Sequence, residues 1–346
     1  MTVWIDMDNS PHVPLLLPFI KSLAAKDYTI FITARDYAQT LELLKNEEVF
    51  FKTIGKHGGG NKFFKIMELV GRAIRLIMFA KKKKISFAIN HGSRAQAVAC
   101  KMLGIPCYIG MDYEHTESRI FGACAAKIWI PELLYPMSLP FIGVSSSQVI
   151  TYKGIKEQFY LKGFVSDPQF KEKVGIPADK VFVVLRPPAE TANYHDPKSE
   201  ELLTAIIQKL IATKHVYTIC TPRTTDQKCK LKKYESTFFK VLEKAIDGKN
   251  LIYYADTMIS GGGTMNREAA FFGAHVYSIF SGRKPMLDLE LQKLGLLSFI
   301  GSAEDCNAIQ FKEKLSGKAA FFHSEENQLE PLLNSIIQDV KKNNRL

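Results

Sequence analysis

Short apolar runs, each leaving through a polar turn into an amphipathic stretch, recur along nearly the whole of this 346-residue chain. A run that is apolar on both faces must be covered on both faces, and the helical stretches between the runs supply the cover. The pattern is therefore that of α/β domains with parallel sheets. In the first half, strands are expected near Val3–Met7, Thr29–Thr33, Val49–Ile54, Phe87–Asn90, Pro106–Gly110, Ile128–Ile130 and Phe141–Val144. In the second half they are expected near Val181–Leu185, Val216–Cys220, Leu251–Tyr254, Met258–Ile259 and Val276–Ile279. The length suits two cores better than one. Gly163 to Lys180, with Pro168 and Pro177 and no apolar periodicity, reads as the linker. The expected division is a first domain over residues 1–165, a second over 178–328 and a closing amphipathic helix within 329–346, with Pro331 in its first turn.

The most informative stretch is Met258 to Ser278, MISGGGTMNREAAFFGAHVYS. Ser260, Gly261, Gly262 and Gly263 fall between a strand-like run and a helix expected from Thr264 to Phe272. Glycines there let a ligand approach the backbone, and a helix start directs free N–H groups and positive dipole at it, which suits a diphosphate. Glu268, about one turn after Thr264 on the same face, is placed to accept hydrogen bonds from the vicinal hydroxyls of a ribose. A plain turn followed by a dipole-favoured glutamate reads the same residues without a ligand.

This run resembles the donor-site segment of two-domain GT-B nucleotide-sugar enzymes, among them the UDP-GlcNAc 2-epimerases and the peptidoglycan GlcNAc transferase. The whole chain, from VWIDMDNSPHVPLLLPFI onward, resembles a GT-B-like family of unknown function common in archaea. The resemblance implies two Rossmann-like domains with parallel sheets facing across a cleft, and a C-terminal helix crossing back to the first domain. It also implies a nucleotide-sugar substrate, UDP-linked in the relatives, and brings Ser281, Gly282 and Asp288 near the donor sugar. Arg186, leaving the first strand of the second domain into the 187–195 loop, and Arg223, in Thr221-Pro222-Arg223, are the cations expected to meet the diphosphate. Either also reads as a structural ion-pair partner.

In the first domain, Asp6, Asp8, Asn9, Ser10 and His12 follow a strand, where ligands of open α/β sheets bind. His12 is the expected general base, its ordinary pKa lying near neutrality; alternatively Asn9 or Ser10 caps a helix and His12 is surface polar. Asp6-Met7-Asp8 also resembles the opening DxD of haloacid-dehalogenase-type phosphatases, with Thr221 as a partner hydroxyl, but the later acidic pair of that family is missing. His91-Gly92-Ser93-Arg94 resembles the epimerases' HGD loop, and Met111-Asp112-Tyr113-Glu114-His115 falls near their acidic VEAG segment. Ser93 stands where the epimerases carry a catalytic Asp, and their HR pair reads Leu185-Arg186, so two members of that mechanism are absent. Asp112, Glu114 and His115 remain acid/base or acceptor-binding candidates, or else a solvated loop before a Thr116–Ala126 helix; Asn9, Ser10, His91, Ser93 and Arg94 are expected on the acceptor side with His115.

A formal charge of +11 points to an anionic partner. Residues 52–84 hold ten lysines and arginines against one acid, Glu68, interleaved with large apolar residues. Such a helix suits an anionic membrane surface or a lipid-linked acceptor, or it is a core helix with solvated lysines. Exposed aromatics among arginines, which nucleic-acid binding favours, are not evident. Six cysteines form no CxxC pair and have no His at ligand spacing, so no metal is expected; with the nucleotide sugar read as substrate, no cofactor is expected either. No uninterrupted run of about 20 apolar residues occurs. Asp6 and Asp8 oppose a leader peptide, giving a cytoplasmic expectation, with peripheral membrane association and a homo-oligomer both compatible. The favoured reading is glycosyl transfer from a nucleotide sugar to an unknown acceptor. Epimerisation, mere binding and phosphatase chemistry are the rivals.

Overall fold

A computed structural model describes residues 1–56, 62–135, 141, 143–188, 198–244, 246–314, 322 and 328–343. The chain forms two compact units, Met1–Lys162 with Glu325–Leu346, and Gly163–Ser324.

The first unit is built on seven strands: β1 (Thr2–Met7), β2 (Thr29–Asp36), β3 (Lys52–Lys56), β4 (Phe87–His91), β5 (Cys107–Gly110), β6 (Lys127–Pro131) and β7 (Val149–Tyr152). They lie in the order β3-β2-β1-β4-β5-β6-β7 with every pairing parallel. The central strand explains why: Val3, Trp4, Ile5 and Met7 are all fully buried, so both faces of β1 need helical cover. The final helix, Leu329–Asn343, lays Leu332, Leu333, Ile336 and Val340 into this unit. Its polar side ties down through Ser22 to Glu330 (2.5 Å) and Tyr108 to Asp339 (2.7 Å).

The second unit has six strands: β8 (Val181–Arg186), β9 (Val216–Cys220), β10 (Phe239–Val241), β11 (Thr257–Ser260), β12 (His275–Ser278) and β13 (Ser298–Phe299). Their order is β10-β9-β8-β11-β12-β13, again all parallel. In both sheets the chain reverses direction of growth beside the first strand, between β1 and β4 and between β8 and β11. Open α/β sheets bind ligands at the carboxyl ends of strands flanking such a reversal.

Four local expectations are corrected. Leu251–Tyr254 is not a strand but the end of a helix, Gly248–Tyr254, because Asp247 caps it by accepting from the N–H groups of Lys249 and Asn250. Of the strand expected at Phe141–Val144, residue 142 lies outside the described residues and the others form no strand: Gly143 has φ of 81°, and the edge strand β7 forms further on. Residues 163–180 are a packed part of the second unit rather than a free linker. A short helix, Phe170–Val174, brings Phe170 flat against Tyr254, with ring centroids 5.8 Å apart. The helix after the 111–115 segment is also shorter than expected, Arg119–Cys124.

Candidate functional site

In the second unit, β8 and β11 run side by side with Arg186 in register with Ser260, so the arginine and the glycine segment emerge together. The amide of Gly261 donates to the Arg186 carbonyl (3.0 Å). A side chain on Gly261 would place its Cβ 2.6 Å from the Pro188 backbone, which is why the loop can close on the β8 exit. The Gly262 amide is also consumed internally, donating to Ser260 Oγ (2.9 Å). The helix then starts at Gly263 without a side-chain cap. The amides left available to an anion are therefore the first-turn amides of Gly263, Thr264 and Met265 rather than those of all three glycines, and the helix dipole points the same way.

Arg186 and Arg223 complete this corner. Arg186 Nη1 donates to the carbonyls of Thr221 (2.8 Å) and Pro222 (3.1 Å), which hold the guanidinium at the end of β9. Among the described residues its buried Nε has no hydrogen-bond partner and no carboxylate pairs with the guanidinium. Burial, aided by the charge of Arg223, pushes its pKa down to about 10. Arg223 Nε donates to the Pro187 carbonyl, and its Nη2 lies so close to Gly262 that a Cβ there would fall 2.7 Å away. Two arginines beside an uncapped helix start are an arrangement whose charge and donors suit a dianion. Glu268 is buried on the same helix, and Thr264 is half-buried. Asp288 turns inward to pair with Arg267 (2.9 Å), while Ser281 is exposed and Gly282 half-buried in the loop before it. The Ala189–His195 part of the expected loop lies outside the described residues.

In the first unit, polar residues gather beyond β1, β4 and β5. Asp6 is completely buried, and both its oxygens are taken: Oδ1 by Thr33 (2.6 Å) and Arg72 (2.8 Å), Oδ2 by Ser93 (2.5 Å) and Arg72 (3.0 Å). It is a structural anion and has no lone pair directed outward to attack phosphorus, which removes the nucleophile from the phosphatase reading. Ser93 is likewise structural, fully buried and capping the Arg94–Leu103 helix through Gln96, so its acceptor-side role is withdrawn. Asp8 continues toward the surface between Arg35 (3.2 Å) and Arg72 (3.7 Å). Burial raises its pKa, Asp6 adding to the shift against the pull of Arg72 and Arg35.

His12 takes a role other than the one expected. The Asp8 amide donates to His12 Nδ1 (3.2 Å), so the proton of the neutral ring resides on Nε2. Burial, reinforced by His91 and Lys156, holds its pKa well below 6.5, so the ring is neutral at pH 7. A neutral ring with its lone pair engaged is a hydrogen-bond donor at Nε2 and not the general base. His91 packs edge-on to it at 5.2 Å, and its Nε2 lies 3.3 Å from Asp112 Oδ1. Lys156, itself buried, bonds the other oxygen of Asp112 and reaches Glu157 (3.1 Å). Glu114 is buried and meets His115 (3.5 Å). Neither Asn9 nor Ser10 caps the helix with its side chain: Asn9 Oδ1 accepts from Ser10 N, and Ser10 Oγ accepts from Gln39 N. Arg94 donates to the Glu117 carbonyl and stacks on Phe121.

Arg72, Lys156 and Gln227 were not singled out from sequence. Arg72 had a visible signal, an arginine on the inner face of an amphipathic helix, which requires a buried acid. Gln227 braces the Arg186–Arg223 corner by accepting from Arg223 N and donating to the Pro188 carbonyl. Lys156 follows an unremarkable glycine turn and gave no signal.

The sequence pattern of the family described as "Protein of unknown function (DUF354)" matches residues 1–326. The chain belongs to that family. The uncharacterized protein MJ0665 of Methanocaldococcus jannaschii is 29% identical over 292 residues, spanning 81% of this chain and 82% of that protein. Among solved structures, the UDP-GlcNAc 2-epimerase of M. jannaschii in complex with UDP-GlcNAc and UDP aligns with a TM-score of 0.78 at 13% identity, over 98% of this chain and 100% of that one. MurG of Acinetobacter baumannii aligns with a TM-score of 0.54 at 14% identity, over 99% and 100%. At such identities the likeness establishes the fold, two Rossmann-like domains of the GT-B type. Among the described residues no helix is long and apolar enough to cross a membrane.

Proposed function

We propose that this DUF354 protein is a glycosyltransferase-like enzyme whose second unit binds a nucleotide-diphosphate sugar. The observation that carries the reading is Arg186, a half-buried cation with which no carboxylate pairs among the described residues, beside Arg223 and the uncapped start of the Gly263–Phe271 helix. A diphosphate supplies the missing counter-charge. As the bond from the anomeric carbon to the diphosphate oxygen breaks, the developing negative charge falls on this corner, where fixed cations and amides stabilise it without reorganisation. Glu268 is assigned to the ribose hydroxyls.

The first unit supplies the proton chemistry. Asp8, its carboxylate made more basic by burial, accepts the proton of the acceptor hydroxyl as the new bond to the sugar forms. His12 donates from Nε2 to an oxygen of the bound substrate, oriented by the Asp8 amide and the His91–Asp112 pair. Nucleotide-sugar 2-epimerisation is the second reading, favoured by the TM-score of 0.78 to the M. jannaschii enzyme. Against it, Ser93 is locked into the Asp6–Arg72 cluster and Leu185 is fully buried, so neither can replace the acid/base groups missing at those positions.

Calorimetry with UDP tests the donor site: Glu268→Ala and Arg186→Met are each expected to weaken binding, and unchanged affinity in both would end the assignment. Incubation with UDP-GlcNAc alone separates the two reactions. An epimerase yields the 2-epimer without acceptor; the transferase yields at most slow hydrolysis, which Asp8→Asn abolishes.

A further inference from the structure

The Lys62–Ala80 helix is apolar on two faces. Its inner face buries Arg72, Ala73, Leu76 and Ala80. Turned away from these, Phe64, Ile66, Met67, Val70, Ile74 and Met78 are between 48% and 62% exposed. At about 100° per residue the six fall within one arc of roughly 160°. Single exposed apolar residues are ordinary, whereas six on one face of one helix mark an interaction surface.

The charge around this face selects the partner. The helix runs directly into Lys81, Lys82, Lys83 and Lys84, of which Lys81, Lys82 and Lys84 are exposed. Lys83 folds over the rings of Phe31 and Phe79. Glu68, the one acid in residues 52–84, is already paired with Arg75 (2.9 Å). A second copy presenting the same basic face would be repelled, and an anionic surface attracted. We infer that this helix lies flat in the headgroup region of an anionic bilayer, with its outer apolar arc at the acyl boundary and the 81–84 lysines at lipid phosphates. It does so without crossing, being too polar overall to span.

Flotation with liposomes tests the inference, using phosphatidylcholine alone and phosphatidylcholine with about 30% phosphatidylglycerol, enough anionic lipid to set up a negative surface potential. The protein is expected to float with the anionic vesicles and to be released by salt. Lys81→Gln/Lys82→Gln/Lys84→Gln should lower the partition coefficient by about 100-fold, near fivefold per lysine. Ile66→Ser/Ile74→Ser, both at exposed positions, should lower it by about tenfold or more while leaving the melting temperature and UDP affinity unchanged. No flotation of the unaltered protein overturns the inference, as does full binding by Ile66→Ser/Ile74→Ser, which would leave charge alone at work. Sedimentation showing a dimer that Ile66→Ser/Ile74→Ser dissociates would also overturn it, assigning the face to a second copy.

Discussion

Replacing Arg186 by methionine should have opposite consequences for stability and for binding. With a native pKa near 10 against an ordinary 12.5, folding costs the charged guanidinium of order 3 kcal/mol. Both folded and unfolded states are protonated at pH 7, so that cost is present in full there and is relieved only as pH climbs through the depressed native value. Methionine removes it. The substitution also strips the Thr221 and Pro222 carbonyls of their donor, at about 1–3 kcal/mol for each that stays dry. The two effects offset, so the ligand-free protein should lose no more than about 3 kcal/mol of its original stability, read from urea denaturation. Binding has no such compensation. Loss of a charge-assisted contact to diphosphate is expected to weaken UDP by about 10- to 150-fold, read by calorimetry, and to shrink the UDP-induced rise in melting temperature accordingly. A loss of more than about 4 kcal/mol in the ligand-free protein, with UDP affinity intact, would show that Arg186 is a structural residue and refute the reasoning.

Other substitutions separate architecture from ligand contact. Gly261→Ala drives a Cβ into the Pro188 backbone and should cost about 1–3 kcal/mol of stability. Gly262→Ala meets only the movable end of Arg223, so it should leave the melting temperature near the original and weaken UDP by about tenfold; the reverse pattern would contradict the placement of that guanidinium. Asp6→Asn strands Arg72 in the interior and should cost about 3–5 kcal/mol, measured by denaturation. Because His12 is held neutral while the unfolded ring titrates near 6.5, its contribution to stability is complete above that pH and is lost as pH falls toward the depressed native value. His12→Asn should flatten the decline in melting temperature between about pH 7 and pH 5, and an unaltered decline would place the titrating group elsewhere.

The alternation of apolar runs was enough to read two parallel sheets, because a strand buried on both faces leaves few other solutions. Where the reading failed, a local polar contact outweighed hydrophobicity. Asp247 caps Gly248–Tyr254 into a helix although the sequence LIYY suits a strand, and Gly143 bends a segment that is otherwise apolar. That the glycine segment, the helix start and the strand-end arginines lie together was largely legible, since they end neighbouring strands of one sheet. Which glycine amides are spent internally was not, because that depends on the register between β8 and β11. The first-unit cluster was legible in its residue types but not in its roles. Asp6 and Asp8 look alike in sequence, and only Arg72, sixty-six residues away, makes one a buried anchor and leaves the other near the surface. His12 reads as a base until the direction of one amide is known.

Arg72 also sets a rule for how sequences of this family can diverge. The side chain that neutralises Asp6 belongs to the same helix whose outer arc carries Ile66, Val70 and Ile74. One face of that helix is bound by a three-way covenant among positions 6, 72 and 93, in which no member can change alone. The other face touches none of them. Relatives should therefore keep Asp, Arg and a small hydroxyl at those three positions as a block, or replace them as a block, while the outer positions exchange freely among large apolar residues. A relative with Arg72 retained and Asp6 lost would break the rule.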